Sequence, residues 1–180
     1  MKFSTDWFTD KIATFKKYMP DMLTRHNLVL LEIGSYEGRS AVWFAENYMK
    51  GDESSLVCID KFSDPLIESN FDKNISELSS HVEILKLKGA SQEVLRQFNP
   101  NSFDFIYIDA DHTAKATLLN IALSWDLLRS GGYLVFDDYE WNPVNDYWKT
   151  PKPAIEAYLD IFRDSITLVY KGYCVITRKK

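Results

Sequence analysis

Acidic side chains recur where apolar runs end. Glu32 follows residues 28–31, Asp60 closes 55–59, Asp109 closes 103–108 with Asp111 and His112 just beyond, and Asp137 and Asp138 follow 132–136. The first of these opens the segment Glu32-Ile33-Gly34-Ser35-Tyr36-Glu37-Gly38-Arg39-Ser40, which leads into a helical pattern. A strand, an acid, a glycine turn and a helix N-terminus in that order form a nucleotide-type pocket. A dinucleotide fingerprint, GxGxxG, needs glycines two and five positions after the first, so that backbone can approach a pyrophosphate. Here those positions hold Tyr36 and Arg39, which argues for a ligand with ribose and adenine but no pyrophosphate. Asp60 stands near the ~20-residue interval at which an acid accepts hydrogen bonds from ribose hydroxyls. The alternative for the whole set is that acids after strands cap the helices that follow.

The elements that must position these groups alternate. Strands are expected at 28–33, 55–60, 82–87, 103–109 and 132–137, and helices at 38–50, 91–98 and 113–129, with Gly131 and Gly132 as the stop of the last. That order implies an α/β fold with a doubly wound, mostly parallel sheet. A helix near 152–163 precedes runs at 166–170 and 173–177, joined at Lys171-Gly172, which read as a C-terminal antiparallel hairpin. Phe8, Ile12, Phe15 and Met19 form a stripe within 3–19, with Lys11, Lys16 and Lys17 on the remaining face, so residues 1–20 are expected to carry an amphipathic helix packed on the domain. Pro65, Pro143, Pro151 and Pro153 mark 61–72 and 138–152 as loops.

Length and charge narrow the classes. The 180 residues, 46% hydrophobic and 26% charged, suit one domain spanning 1–180. With 21 basic against 26 acidic side chains, a formal charge of −5 disfavours nucleic acid as a partner. There is no long apolar stretch of membrane-spanning or signal type, so a soluble cytoplasmic protein without a membrane partner is the default expectation. Cys58 and Cys174 sit in apolar runs as small hydrophobes, without a disulfide framework.

In combination, EIGSYEGRS, Cys58-Ile59-Asp60, Gly89-Ala90-Ser91-Gln92, the run Tyr107 to His112 (YIDADH) and Phe136-Asp137-Asp138-Tyr139 resemble the class I S-adenosylmethionine-dependent methyltransferases, whose fold is Rossmann-like. The last three segments are most similar to the metal-dependent catechol O-methyltransferase-like and macrolide-sugar O-methyltransferase-like groups. The likeness runs from about Leu28 to Tyr139. It implies that Glu32, Gly34, Ser35 and Ser40 hold the methionine portion, Asp60 the ribose, and Ala90, Ser91 and Gln92 the adenine. Tyr36, Lys61, Gly89 and Asp109 complete the cofactor-binding set. Ser40 has a competing reading as a locally satisfied helix residue, and Gly89 as a turn glycine.

The resemblance further implies Asp109, Asp137 and Asp138 as ligands of a divalent cation. Oxygen donors of this kind suit Mg²⁺, and also Ca²⁺ or Mn²⁺, rather than zinc. The catechol-type pattern has Asn where this chain has Asp138, and three carboxylates without a cation would raise one another's pKa. The competing reading of Asp137 and Asp138 is solvated loop acids. His112 stands where that family places a catalytic Lys, and an imidazole titrates near neutral pH, so it is the candidate base, with Asp109 and Asp111 as competitors. An ordinary surface or capping histidine is the alternative.

The expected activity is transfer of a methyl group from S-adenosyl-L-methionine to a hydroxyl of a small molecule, a sugar or sugar-containing metabolite by analogy with the FDDY segment, with metal assistance. The rivals are a metal-independent methyltransferase of another acceptor and an inactive interaction module that keeps the fold. Tyr139, Trp141, Tyr147 and Trp148 in 138–152 suit a wall for the acceptor, a hydrophobic seal or a homodimer contact.

Overall fold

The computed structural model describes residues 1–79, 82–143 and 145–180; residue 144, within the expected loop 138–152, lies outside the described residues. Seven strands form one sheet in the order β3-β2-β1-β4-β5-β7-β6. They are β1 Val29–Ile33, β2 Ser55–Asp60, β3 Glu83–Lys88, β4 Phe103–Ile108, β5 Leu128–Phe136, β6 Ile166–Lys171 and β7 Val175–Lys179. The first five pair in parallel, and β7 runs antiparallel to both β5 and β6. The mostly parallel sheet and its C-terminal hairpin are those expected from the alternation of apolar runs.

Side chains one residue apart on a strand face opposite sides of a sheet, and this alternation splits the core in two. Leu30, Leu56, Cys58, Phe105 and Tyr107 join Phe8, Phe15, Met19 and Phe44 on one face. Leu31, Ile33, Val57, Ile59, Ile106 and Ile108 join Ile121, Ile155 and Tyr158 on the other. The helices covering these faces are α1 Ile12–Tyr18, α2 Arg39–Asn47, α3 Pro65–Ser76, α4 Ser91–Val94, α5 Ala114–Leu127 and α6 Lys152–Ile161. Cys58 and Cys174 are both buried free thiols. Among the described residues no helix is long and apolar enough to cross a membrane.

Four expectations about elements are corrected. Segment 61–72 is not all loop, because α3 starts at Pro65 with the Asp64 side chain accepting from the Leu66 N–H; an aspartate cap followed by Pro at the first helical position is a start signal, not a break. The helix expected over 3–19 is a 3₁₀ turn, Thr9–Lys11, followed by the two-turn α1. Segment 91–98 holds α4 and then a 3₁₀ turn, Leu95–Gln97. The chain leaves α5 at Leu127, so Gly131 and Gly132 lie inside β5 rather than at the helix stop.

The switch point of the sheet lies between β1 and β4, from which the strand order runs outward in both directions. Ligands of open α/β sheets bind outside the carboxyl ends of strands at such a point. Gly34 stands there with φ +94°, and a Cβ on it would meet the Asp109 carbonyl oxygen at 1.9 Å. The glycine is therefore required by the close approach of the β1 and β4 ends, whatever else it contacts.

Candidate functional site

A cleft of about 880 Å³ opens at these strand ends, within the size range of small-molecule and cofactor sites. Gly34, Ser35, Tyr36 and Ser40 line it from the β1–α2 turn, Asp60 and Lys61 from the end of β2, and Gly89, Ser91 and Gln92 from the segment after β3. Asp109, Asp111 and His112 line it from the end of β4, and Asp138 from the end of β5. Glu32, Ala90 and Asp137 are not part of the lining: Glu32 and Asp137 are buried, and Ala90 precedes α4 as its N-cap residue.

Asp60 holds the glycine turn together. Its Oδ2 accepts from the N–H groups of Ser35 and Tyr36, both at 3.0 Å, and its Oδ1 from the Phe62 N–H at 2.8 Å. Tyr36 and Phe62 have φ +47° and +44°, a left-handed conformation that costs a bulky residue energy and persists only when neighbours enforce it. A carboxylate offers about four acceptor positions, so Asp60 retains capacity for a ligand hydroxyl. In the segment after β3, the Ser91 hydroxyl and the Gln92 amide both donate to Asn120 Oδ1 on α5, at 2.8 and 3.1 Å.

Glu32 lies under this turn, registered between Cys58 of β2 and Tyr107 of β4. Among the described residues its two carboxyl oxygens and the Ser35 hydroxyl find no hydrogen-bond partner. Burial pushes the Glu32 pKa from 4.5 up to about 7, against the nearby Ser35, Ser40 and Cys58, with Asp60 adding to the rise. Between pH 4.5 and 7 the folded chain then binds more protons at this group than the unfolded chain does, so stability falls as pH rises through that window and the cost is constant above it. Glu32→Gln is accordingly expected to stabilise the ligand-free protein by about 2–3 kcal/mol at pH 8, with the advantage vanishing below pH 4.5. Urea unfolding at the two pH values measures it; no gain at pH 8 would show that the carboxylate finds a partner.

At the ends of β4 and β5 one ligand atom each from Asp109, His112 and Asp138 lies within 4.8 Å of the others. His112 Nε2 contacts Asp138 Oδ2 closely and stands 3.9 Å from Asp109 Oδ1. The imidazole also packs on Trp141, with ring centroids 4.7 Å apart. The two carboxylates are the oxygen donors that Mg²⁺ or Mn²⁺ takes, with the imidazole beside them. Asp138 adopts φ +57°. Although burial opposes it, contact with His112 holds the Asp138 carboxyl below its usual range, whereas burial and the charges of Asp137 and Asp138 push Asp109 well up.

Asp137 lies apart from this trio. Its Oδ2 accepts from the Tyr107 hydroxyl and sits 2.8 Å from the Lys11 ammonium, and its Oδ1 accepts from the Asp138 N–H at 2.8 Å. Tyr107 also reaches Asp109 Oδ2 at 3.4 Å, so one phenol spans two carboxylates. Asp111 behaves as a helix-start acid, since its Oδ1 accepts from the Thr113 N–H ahead of α5, and that bond holds its pKa down. The capping alternative thus accounts for Asp111 but not for Asp60, Asp109, Asp137 or Asp138.

Three participants were not anticipated. Lys11 was expected on an outer helix face, yet it is only 7% exposed. It ends a 3₁₀ turn, in which residues i and i+3 eclipse, so it shares the inward face of Phe8. Glu37 and Arg39, unassigned within the glycine-turn segment, grip the N-terminus. Glu37 Oε2 accepts from the Ser4 N–H at 2.6 Å, and Arg39 donates to the Thr5 carbonyl at 3.1 Å and pairs with Asp6 at 3.2 Å. Residues 3–11 therefore form a wall of the cleft, where Trp7 packs against Tyr36 with centroids 5.3 Å apart. The signal available beforehand was the density of aromatics between Asp6 and Asp10.

The strand order, the antiparallel seventh strand and a cleft at the β1/β4 switch point together define a class I methyltransferase fold. A family model described as a methyltransferase domain matches residues 31–139, and the chain belongs to that family. It is similar to uncharacterized protein R132 of Acanthamoeba polyphaga mimivirus, 28% identical over 127 residues, which are 66% of this chain and 56% of that protein. A probable caffeoyl-CoA O-methyltransferase 1 of Dictyostelium discoideum is 30% identical over 116 residues, 60% of this chain and 46% of that protein. The chain spans about half the length of these curated relatives. Among solved structures, an O-methyltransferase from Bacillus cereus in complex with SAH superposes with TM-score 0.72 at 17% identity, covering 99% of this chain and 84% of that one. The MycE methyltransferase from the mycinamycin biosynthetic pathway, in complex with Mg and SAH, gives 0.67 at 15% identity over 97% and 51%. At these identities the superpositions speak for the fold alone.

Proposed function

We propose that this chain is an S-adenosylmethionine-dependent O-methyltransferase that acts on a hydroxyl of a small molecule with the help of a divalent cation. The observation that carries the reading is the presence, in one cleft, of the Asp60-held turn and the Asp109, His112, Asp138 trio. The family membership and the likeness to a probable O-methyltransferase support it, as do the SAH and Mg in the complexes of the two solved relatives. Asp60 would hold the ribose, the turn at Gly34 and Ser35, with Glu32 buried beneath it, would meet the methionine portion, and Ser91 and Gln92 would flank the adenine.

The bound cofactor supplies an already activated methyl group, which leaves the protein to align an acceptor and take up its proton. A cation between Asp109 and Asp138 would stabilise the acceptor oxygen as it loses that proton. With Nε2 donating to Asp138, His112 has Nδ1 left as the proton acceptor, and the Trp141 ring fixes the plane of the imidazole. Trp7, Tyr36, Trp141 and Tyr173 line the cleft with ring surfaces, which suit the apolar face of a sugar or another planar acceptor. A sugar-containing metabolite is our choice of acceptor, on the analogy of the FDDY segment with the sugar-modifying group.

Calorimetry with S-adenosylmethionine and turnover with and without chelator test the reading. Cofactor binding together with turnover abolished by chelator and restored by Mg²⁺ or Mn²⁺ is the expected result. Binding with full turnover in chelator would leave a metal-independent methyltransferase, and a well-folded sample without cofactor binding would leave an interaction module.

A further inference from the structure

Asp137 is engaged by three donors within the protein. Its Oδ1 accepts from the Asp138 N–H, and its Oδ2 is shared by the Tyr107 hydroxyl and the Lys11 ammonium. Lys11 is buried over the Tyr173 ring, 5.6 Å from its centroid, and its charge acts on Asp137, Asp109 and Asp138. An ammonium so placed does part of what a divalent cation would do: it neutralises the cluster and occupies one of its oxygens.

We propose that Lys11 is a built-in counter-cation of this site, which competes with the divalent metal for the carboxylate cluster and sets the metal affinity. The inference rests on the reading of Asp109 and Asp138 as metal ligands. With Lys11 in place, the cation is left with Asp109 and Asp138, and it meets a unit positive charge behind Asp137. Any approach of the cation to Asp137 Oδ2 would be opposed by the Lys11 ammonium already paired with that oxygen.

The test is calorimetric titration of the full chain with MnCl₂ for wild type, Lys11→Gln, Lys11→Met and Lys11→Arg. Gln keeps a hydrogen bond to Asp137 and Met keeps the stem packing, so two neutral variants of different chemistry guard against a folding failure in one. Both are expected to bind Mn²⁺ on the order of tenfold more tightly than wild type, and Lys11→Arg, which retains the charge, within about threefold of wild type. A merely structural lysine would weaken or leave unchanged the affinity on neutralisation. Equal or weaker binding by the neutral variants, with wild type binding Mn²⁺, would overturn the role of Lys11 alone. No binding by any of the four proteins would overturn it together with the metal reading.

Discussion

His112→Ala is expected to lower methyl transfer by about 10²–10⁴-fold, the usual contribution of a positioned general base, while S-adenosylhomocysteine affinity stays within about threefold of wild type. The separation follows from where the side chain sits. His112 lies beyond β4 between Asp138 and Trp141, whereas the turn held by Asp60 belongs to the ends of β1 and β2. Both line the same cleft. Loss of the imidazole leaves Asp138 without its partner and Trp141 without the ring it packs on, so Mn²⁺ affinity must be measured alongside turnover. A turnover defect that persists at saturating Mn²⁺ marks the base. Full recovery at high Mn²⁺ would make His112 a ligand or a support for Asp138, and unchanged turnover would remove it from the chemistry.

The second large effect is expected from Asp60→Ala. Three backbone N–H groups lose their acceptor at once, two of them on residues in the left-handed region. Hydrogen bonds to a charged acceptor contribute more than neutral ones, and unsatisfied donors near the surface recover part of the loss from water. The turn is therefore expected to lose about 2 kcal/mol of stability, and cofactor binding about 1.5–3 kcal/mol, the worth of charge-assisted bonds to ribose hydroxyls. Asp60→Asn separates the two, because one oxygen remains for the Ser35 and Tyr36 N–H groups while the charge is gone. The amide nitrogen then faces the Phe62 N–H, so urea unfolding should lie between wild type and Asp60→Ala, with cofactor affinity well below wild type. Equal cofactor affinity in all three proteins would place the ribose elsewhere.

How much of this was legible beforehand depended on the range of the interaction. The strands were readable because their apolar runs are bounded by polar groups, and the acids at their ends followed from the same boundaries. The place of Gly34 in a turn was readable, but not its reason, the Asp109 carbonyl that leaves no room for a Cβ. Helix α3 was missed because Pro65 was taken as a break, although Asp64 before it is a cap. Lys11 faces inward because it stands three residues after Phe8 at the end of a 3₁₀ turn, where its charge alone suggests the outer face. Nothing local could reveal that Glu37 and Arg39 clasp residues 4–6, or that Tyr107 and Lys11 converge on Asp137. Those pairings join residues far apart in the chain and exist only once β4 pairs with β5 and residues 3–11 lie over the strand ends.

The central claim is that one cleft holds a ribose-bearing cofactor at Asp60 and a divalent cation between Asp109 and Asp138. A crystal structure of the protein with S-adenosylhomocysteine and Mn²⁺ measures both at once, since manganese is located by its anomalous signal. The account predicts an anomalous peak within coordination distance of Asp109 and Asp138, and ribose hydroxyls bonded to the Asp60 carboxylate. Density for the ribose away from Asp60, or manganese bound only outside the β4 and β5 strand ends, would contradict it.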